Sequence, residues 1–259
     1  MSSLETVLYE VAGPVATITL NRPEALNTIV PPMPDEVAAC VGSALRDPAV
    51  KVIVVRGAGR AFCAGYDFGE GFHHCDEGIT TEGEWDPGKD FALCSGPVVA
   101  SEDAVIGTPY SRVWGAYLSG MWIYRLGLAR CKWHALTGRP LSGREAADVE
   151  LINEAVPFAA LEERVASLAG ELASIPSSQL AAMKLVVNHA YENMGVASTQ
   201  TLGPILDGLM RNTPEARGWI ARVERDGVRA VVEARDAPFG DYSQAPPERR
   251  PDPSHVIEP

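Results

Sequence analysis

Long hydrophobic runs and an excess of basic residues are both absent from this 259-residue sequence. No apolar run approaches the roughly 18 residues that a membrane-spanning helix needs, so we predict no membrane partner. The first twenty residues carry Glu5 and Glu10 and no basic segment, so we expect no secretory leader. Lys and Arg number 22 against 34 Asp and Glu, and the net charge of −12 disfavours binding of nucleic acid through bulk charge.

Cysteine is scarce, and the spacing of the cysteines shows no paired motif. The five cysteines are odd in number and scattered, and no C-x-x-C pair occurs among Cys40, Cys63, Cys75, Cys94 and Cys131. A disulfide framework is therefore not predicted, and we expect a reduced, cytoplasmic protein.

Several signatures of other enzyme classes are also missing. The sequence contains neither a G-x-S-x-G nucleophile elbow nor a Walker A loop. Gly57-Ala58-Gly59 follows a predicted strand, but the dinucleotide fingerprint needs glycine at its sixth position, where Phe62 stands. The run His73–Asp76 holds adjacent side chains that cannot all face one metal ion without strain. We predict no metal site, and a nicotinamide-dependent oxidoreductase has only Gly57-x-Gly59 in its favour.

The patterns that are present predict an α/β architecture. Val7–Val11 and Val15–Leu20 flank Gly13-Pro14 and predict a β-hairpin, with Ala16, Ile18 and Leu20 on one face. Apolar spacing predicts a helix over Pro34–Arg46, with Val37, Val41, Ala44 and Leu45 on one stripe. Val52–Val55 is a continuous apolar run, typical of a strand buried on both faces in a parallel sheet.

Helical signals dominate the second half of the chain. Ser142 and Glu145 form a capping box, and Thr213 followed by Pro214 predicts another helix start. The last 22 residues are rich in proline, which indicates an extended tail. We therefore divide the chain into a core at 1–157, a helical region at 158–235 and a tail at 236–259.

Three segments together resemble the enoyl-CoA hydratase/isomerase (crotonase) family. They are Leu20–Asn27 (LNRPEALN), Val52–Asp67 (VIVVRGAGRAFCAGYD) and Leu136–Pro157 (LTGRPLSGREAADVELINEAVP). The resemblance implies a crotonase-like spiral of ββα units with a C-terminal helical oligomerisation region. It implies a homotrimer or hexamer that acts on an acyl-CoA thioester, with coenzyme A as part of the substrate and no separate cofactor.

The same resemblance implies a site. Family enzymes stabilise a thioester enolate with two backbone N–H groups, which are preorganised donors of the kind that an oxyanion needs. The first donor would be the N–H of Tyr66. The residues implied to contact coenzyme A are Arg22, Glu24, Ala25, Leu26, Ala64, Gly65, Asp67 and Phe68.

The family pattern breaks before Asp90. A Gly-Gly turn should supply the second donor, but Pro87 stands at that position and has no N–H. A strand and a helix with their loops, roughly 20–30 residues, have no counterpart there. Either the protein lacks this segment, or the sequence joins two pieces of a longer chain across an omitted stretch. We favour omission, because losing a central parallel strand would leave its neighbours without ladder partners.

The two acid/base positions of family hydratases fall on Asp90 and Tyr110. Asp90 could serve as an acid/base or merely cap the helix that follows it. Tyr110, with an ordinary pKa of about 10, is a poor general base but can donate a proton or a hydrogen bond. The leading hypothesis is an acyl-CoA enzyme of the hydratase/isomerase type. The alternative is a non-catalytic acyl-CoA-binding oligomer that has lost the catalytic glutamates.

Overall fold

The computed structural model describes residues 4–65, 67, 96–107, 109–112 and 119–241. The chain divides into two compact units. The first holds the described residues of 4–67 together with 163–184, and the second holds those of 96–162 together with 185–241.

The first unit is built on a three-stranded sheet in which β1 (Val7–Ala12), β2 (Val15–Leu20) and β3 (Val52–Gly57) lie in that order. β1 and β2 form the predicted antiparallel hairpin, and β3 lies parallel to β2. The predicted inward face is confirmed, since Ala16, Ile18 and Leu20 are all buried. Val52–Val55 were predicted to be buried on both faces, but these residues are half-buried. The reason is that β3 is at the edge of the described strands.

Helix α1 (Pro32–Arg46) covers one face of this sheet. The predicted helix is confirmed, but Leu45 was wrongly placed on its buried stripe and is 76% exposed. The buried residues of α1 are Met33, Cys40 and Ala44. The buried stripe of the helix therefore passes through Cys40 and leaves Leu45 on the solvent side. Val7, Ile18, Leu20, Met33 and Cys40 form the core of the unit.

The second unit contains two small sheets. In one, β4 (Val99–Ser101) lies parallel to β7 (Glu154–Val156), and in the other β5 (Val105–Ile106) lies antiparallel to β6 (Leu141–Ser142). Helix α2 (Ser119–Thr137) is interrupted at Gly127, and α3 (Gly143–Asp148) begins at the predicted capping box. These elements enclose a core of six buried residues: Leu126, Cys131, Leu141, Ala146, Leu151 and Ile152.

Five further helices account for most of residues 161–236. They are α4 (Leu161–Ser174), α5 (Ser177–Asn193), α6 (Val196–Arg211), α7 (Pro214–Asp226) and α8 (Val228–Asp236). The predicted start of α7 is confirmed, because the Thr213 side chain accepts the Ala216 N–H at 3.2 Å. The proposed boundaries at 157 and 235 stay a prediction, and residues 242–259 of the tail lie outside the described residues.

A buried ionic cluster, here called the Arg112 cluster, ties three segments of the second unit together. Its members are Arg112, Arg235, Asp236, Phe239 and Asp241. The Arg112 guanidinium donates to Asp236 (3.2 Å), to Asp241 (2.9 Å) and to the Thr137 carbonyl (3.0 Å), and it stacks 3.6 Å from the Phe239 ring centroid. Burial opposes its charge, but hydrogen bonds and charges from Asp241 and Asp236 outweigh burial and raise the pKa of Arg112.

Among the helices that the structure describes, none combines the length and the apolar character of a bilayer-crossing segment.

Candidate active site

The loop between β2 and α1 is organised by one buried side chain, that of Asn27. Its Oδ1 accepts the Arg22 N–H at 2.8 Å, and its Nδ2 donates to the carbonyls of Ala58 (2.8 Å) and Ala61 (2.7 Å). Its φ of 55° is in the left-handed region, which asparagine tolerates better than most residues. Asn27 therefore joins the first sequence motif to the loop of the second.

The end of β3 approaches that side chain so closely that only glycine fits. A Cβ on Gly57 would lie 2.7 Å from Asn27 Nδ2 and 2.5 Å from the Phe62 carbonyl oxygen, and it would also collide with the Ala61 carbonyl. The glycine that sequence analysis treated as part of a possible dinucleotide turn therefore has a packing role.

Beyond Asn27 the two motif loops run side by side. Ala64 N–H donates to the Leu26 carbonyl (3.1 Å), Ile29 N–H donates to the Gly65 carbonyl (2.8 Å), and Asp67 N–H donates to the Ile29 carbonyl (3.0 Å). Both backbone polar groups of Ile29 are thus used by the residues that flank position 66. The segment 26–29 and the described residues of 64–67 are thus paired by three backbone hydrogen bonds, which satisfy polar groups of both loops.

Three side chains close this pair of segments; Arg22, Thr28 and Asp67 are here called the side-chain triangle. Arg22 Nη2 donates to Asp67 Oδ2 at 2.8 Å, and Arg22 Nη1 donates to the Thr28 carbonyl (2.7 Å) and hydroxyl (3.2 Å). The Thr28 hydroxyl in turn donates to Asp67 Oδ2 at 3.1 Å. The charge of Arg22, which the resemblance assigned to coenzyme A, is therefore placed against a carboxylate of the second motif.

Cys63 is a thiol in the described part of this site, and the structure argues against its being a nucleophile. Burial raises the pKa of the Cys63 thiol, and the thiol donates a hydrogen bond to the Gly65 carbonyl (3.8 Å). A thiol that stays protonated near neutrality is a weak nucleophile. The chemistry that this arrangement favours is binding and polarisation by fixed backbone groups.

The structure brings five of the predicted site residues of the first unit together. Arg22, Leu26, Ala64, Gly65 and Asp67 take part in the contacts above. Glu24 and Ala25 lie in the 3₁₀ turn Pro23–Ala25, where Glu24 is exposed.

The other predicted site residues are less completely placed. Tyr110 begins the 3₁₀ helix Tyr110–Arg112 of the second unit. Tyr66, Phe68 and Asp90 lie outside the described residues, as do Pro87 and the run His73–Asp76. The predicted roles of Tyr66, Asp90 and Tyr110 stay predictions.

Asn27 and Thr28 have no predicted role in the site from the sequence alone. Both stand in or beside the first motif, and the available signal was a polar residue in a predicted loop that follows a buried strand. Such residues satisfy backbone groups at tight turns. Their partners come from residues 58–67, so the pairing could be seen only once β2 and β3 were placed side by side.

The described part of the chain offers less for two other kinds of site, a metal site and a cavity in the second unit. No group of three or more His, Cys, Asp or Glu side chains is placed there to hold a metal ion. A cavity of about 300 Å³ borders the Arg112 cluster, but Arg112 and Arg235 on its wall are already paired with Asp236. The paired motif loops of the first unit are therefore the stronger candidate.

Comparison with known proteins gives the same assignment at the level of sequence and of fold. The sequence model described as Enoyl-CoA hydratase/isomerase matches residues 10–87 and 83–241. A probable enoyl-CoA hydratase of Rhodobacter capsulatus is 29% identical over 92% of this chain and 98% of that protein. A 1,2-epoxyphenylacetyl-CoA isomerase of Escherichia coli is 29% identical over 91% of this chain and 98% of that protein.

A solved structure agrees with these sequence matches. The crystal structure of an enoyl-CoA hydratase from Mycobacterium smegmatis superposes with a TM-score of 0.81 at 35% identity, covering 96% of this chain and 97% of that one. The predicted α/β crotonase fold is thereby confirmed, and the chain belongs to the enoyl-CoA hydratase/isomerase family of enzymes.

Proposed function

We propose that this protein converts an acyl-CoA thioester by stabilising a thioester enolate, with the N–H of Tyr66 as one donor to the oxyanion. The observation that carries the proposal is the pairing of segments 26–29 and 64–67 by three backbone hydrogen bonds on either side of position 66. Donors fixed before the reaction need no reorganisation as charge develops, and each is typically worth about 100–1000-fold in rate.

Coenzyme A would lie along the same pair of loops. Glu24, Ala25 and Leu26 would line one side of its path, and Ala64 and Gly65 would lie against the adenine. Ala64 N–H is bonded to Leu26, so the two sides would be held at a fixed spacing. In this proposal coenzyme A is part of the substrate, and no separate cofactor is required.

The second donor to the oxyanion depends on the residues that precede Asp90. Pro87, which has no N–H, stands at the position where the family pattern places the second donor. The two stretches matched by the family's sequence model overlap at residues 83–87. We therefore keep the hypothesis of an omitted segment. A mass of the purified protein several kDa above 27.7 kDa would support it, whereas a mass at 27.7 kDa would mean a real deletion.

Tyr110 and Asp90 are the first side chains to test for proton transfer. A Tyr110→Phe variant should lower kcat on the true substrate by about 100-fold or more, the usual size of an acid/base contribution. Tyr9→Phe removes a hydroxyl from β1 and serves as the control. Unchanged turnover by Tyr110→Phe would remove Tyr110 from the mechanism.

A non-catalytic binder of acyl-CoA is the second candidate. It is favoured by the residues at two family positions, Pro87 in place of an N–H donor and Tyr110 in place of a glutamate. Titration with crotonyl-CoA and a panel of other acyl chains distinguishes the two candidates, because a binder would bind them without turnover.

We also propose that α6 forms part of the surface through which copies of the chain assemble as a trimer or hexamer. On α6, Leu202, Ile205, Leu206 and Leu209 recur at helical spacing and are each more than a third exposed. Apolar residues exposed on one face mark an interaction surface. Leu206→Glu should reduce the mass measured by light scattering, whereas Leu45→Glu, an exposed site on α1, should not.

A further inference from the structure

The side-chain triangle of Arg22, Thr28 and Asp67 links the two motif loops to each other through side-chain contacts. Arg22 precedes the turn Pro23–Ala25 and Thr28 follows it, so the Arg22–Thr28 contacts fix the first loop on itself. Asp67 adds the second loop, since its Oδ2 accepts from both Arg22 (2.8 Å) and Thr28 (3.1 Å). The triangle thus joins Arg22 and Thr28, which flank one turn, to Asp67, which is 45 and 39 positions away in the sequence.

Both Arg22 and Thr28 direct hydrogen bonds to the same oxygen of Asp67. Both terminal nitrogens of Arg22 are engaged, and the Thr28 hydroxyl accepts from Arg22 and donates to Asp67. The charge-assisted Arg22–Asp67 bond is the strongest contact of the three. A phosphate that approached Arg22 would have to compete with a carboxylate already bonded to it.

The exposure of the pair indicates what its loss would change. The side chains of Arg22 and Asp67 are each 22% exposed. Ion pairs in contact with solvent add little to the stability of a fold. Their influence on the position of a neighbouring loop is a different matter, because a misplacement of about 1 Å can cost about 100-fold in rate.

We propose that Asp67 is a positioning residue, which acts through Arg22 and Thr28 to hold segment 64–67 against segment 26–29. The catalytic part of this inference rests on the proposed function, in which the donor amide belongs to the residue between Gly65 and Asp67. Arg22 is accordingly assigned to the triangle and not to direct contact with a phosphate of coenzyme A.

The kinetic test uses Asp67→Asn, which keeps the size of the side chain and removes its charge. We expect kcat to fall by about 10- to 100-fold while KM changes by less than about threefold and the melting temperature stays near that of the wild type. Arg22→Met should give the same pattern. The double variant should lose little more than either single variant, since the two residues act as a unit.

The matched control is the exposed pair Arg225–Asp226 on α7, which has the same chemistry at 2.7 Å. Asp226→Asn should leave kcat, KM and the melting temperature unchanged. A rise in KM that depends steeply on salt in Arg22→Met, with Asp67→Asn silent, would instead make Arg22 a direct phosphate contact and overturn the inference.

Hydrogen exchange tests the positioning itself, whether or not the substrate is known. In Asp67→Asn the amides of Ile29 and Ala64, which bridge the two segments, should exchange faster, while amides of the β1–β2 ladder should not. Unchanged exchange at Ile29 and Ala64 would overturn the inference. If the wild type converts no acyl-CoA thioester, the proposed function fails, and exchange still decides whether the triangle holds the loops.

Discussion

The side-chain triangle and the Arg112 cluster use the same Arg–Asp chemistry in opposite surroundings. In the triangle both charged side chains are 22% exposed, whereas Arg112 and Asp236 are 3% and 0% exposed. Triangle partners come from two motif loops, whereas Arg112 and Asp236 are separated by 124 positions in the sequence. Exposure decides what each pair does: water screens the first and makes its loss a local matter, while loss of Arg112 takes a charged partner from the buried carboxylate of Asp236 and leaves it paired with Arg235.

The largest expected effect lies in the Arg112 cluster. Arg112→Met should lower the free energy of unfolding by about 3–5 kcal/mol, because the buried carboxylate of Asp236 loses a cation that compensates it. Denaturant unfolding monitored by circular dichroism would measure the loss. Arg229→Met, in an exposed helical pair with Glu233, is the control and should leave the free energy of unfolding nearly unchanged. Similar values for the two variants would end the contrast between buried and exposed pairs.

A buried but uncharged member of the motif loops should give the next largest effect. Asn27→Ala removes a side chain that is 0% exposed and leaves the Arg22 N–H and two carbonyls without their partner. We expect a loss of about 2–3 kcal/mol in the free energy of unfolding. The exposed Asn193→Ala on α5 should change it by about 0.5 kcal/mol or less. An Asn27→Ala variant as stable as the wild type would show that these bonds do not organise the loops.

The smallest expected effect concerns pH and Glu36 on α1. Burial opposes the charge of this carboxylate, but hydrogen bonds from the Thr6 hydroxyl and the N–H groups of Glu5 and Thr6 outweigh it and lower the pKa of Glu36. A lowered folded-state pKa stabilises the fold above the ordinary value of 4.5, and this stabilisation is lost as the pH falls through the folded value.

Glu36→Gln tests that dependence. The difference in free energy of unfolding between wild type and variant should be constant near neutrality and shrink below about pH 4.5. Denaturant titrations at several pH values would measure it. A difference that does not change with pH would mean that the Glu36 charge is not what Thr6 and Glu5 stabilise.

Local patterns predicted the three strands and the first helix of the first unit, and two helix starts of the second. The hairpin, α1, the capping box at Ser142 and the Thr213 cap follow from periodicity and from residues that satisfy the first turn of a helix. Leu45 was misplaced because a helical stripe fixed from apolar letters alone cannot tell which of two adjacent residues, Ala44 or Leu45, faces the sheet. The structure decides this through Cys40, which packs into the core.

The residues of the site were predictable where they belong to family motifs. The contacts between side chains that are distant in sequence were not. The resemblance selected Arg22, Leu26, Ala64 and Asp67, which the structure brings together. It could not show that Arg22 faces Asp67, because the pairing depends on how two loops meet. The Arg112 cluster left no sequence signal at all, since nothing near Arg112 in the sequence indicates residues 236 and 241.

The measurement that tests the central claim most directly is the fate of an acyl-CoA panel incubated with the intact protein. Saturated, 2-enoyl and 3-enoyl thioesters would be followed in parallel for binding and, by mass spectrometry of the products, for conversion. The account predicts that at least one unsaturated thioester is hydrated or isomerised and that Asp67→Asn slows this reaction without weakening binding. Tight binding of the panel with no conversion of any member would contradict it and would support the non-catalytic acyl-CoA binder.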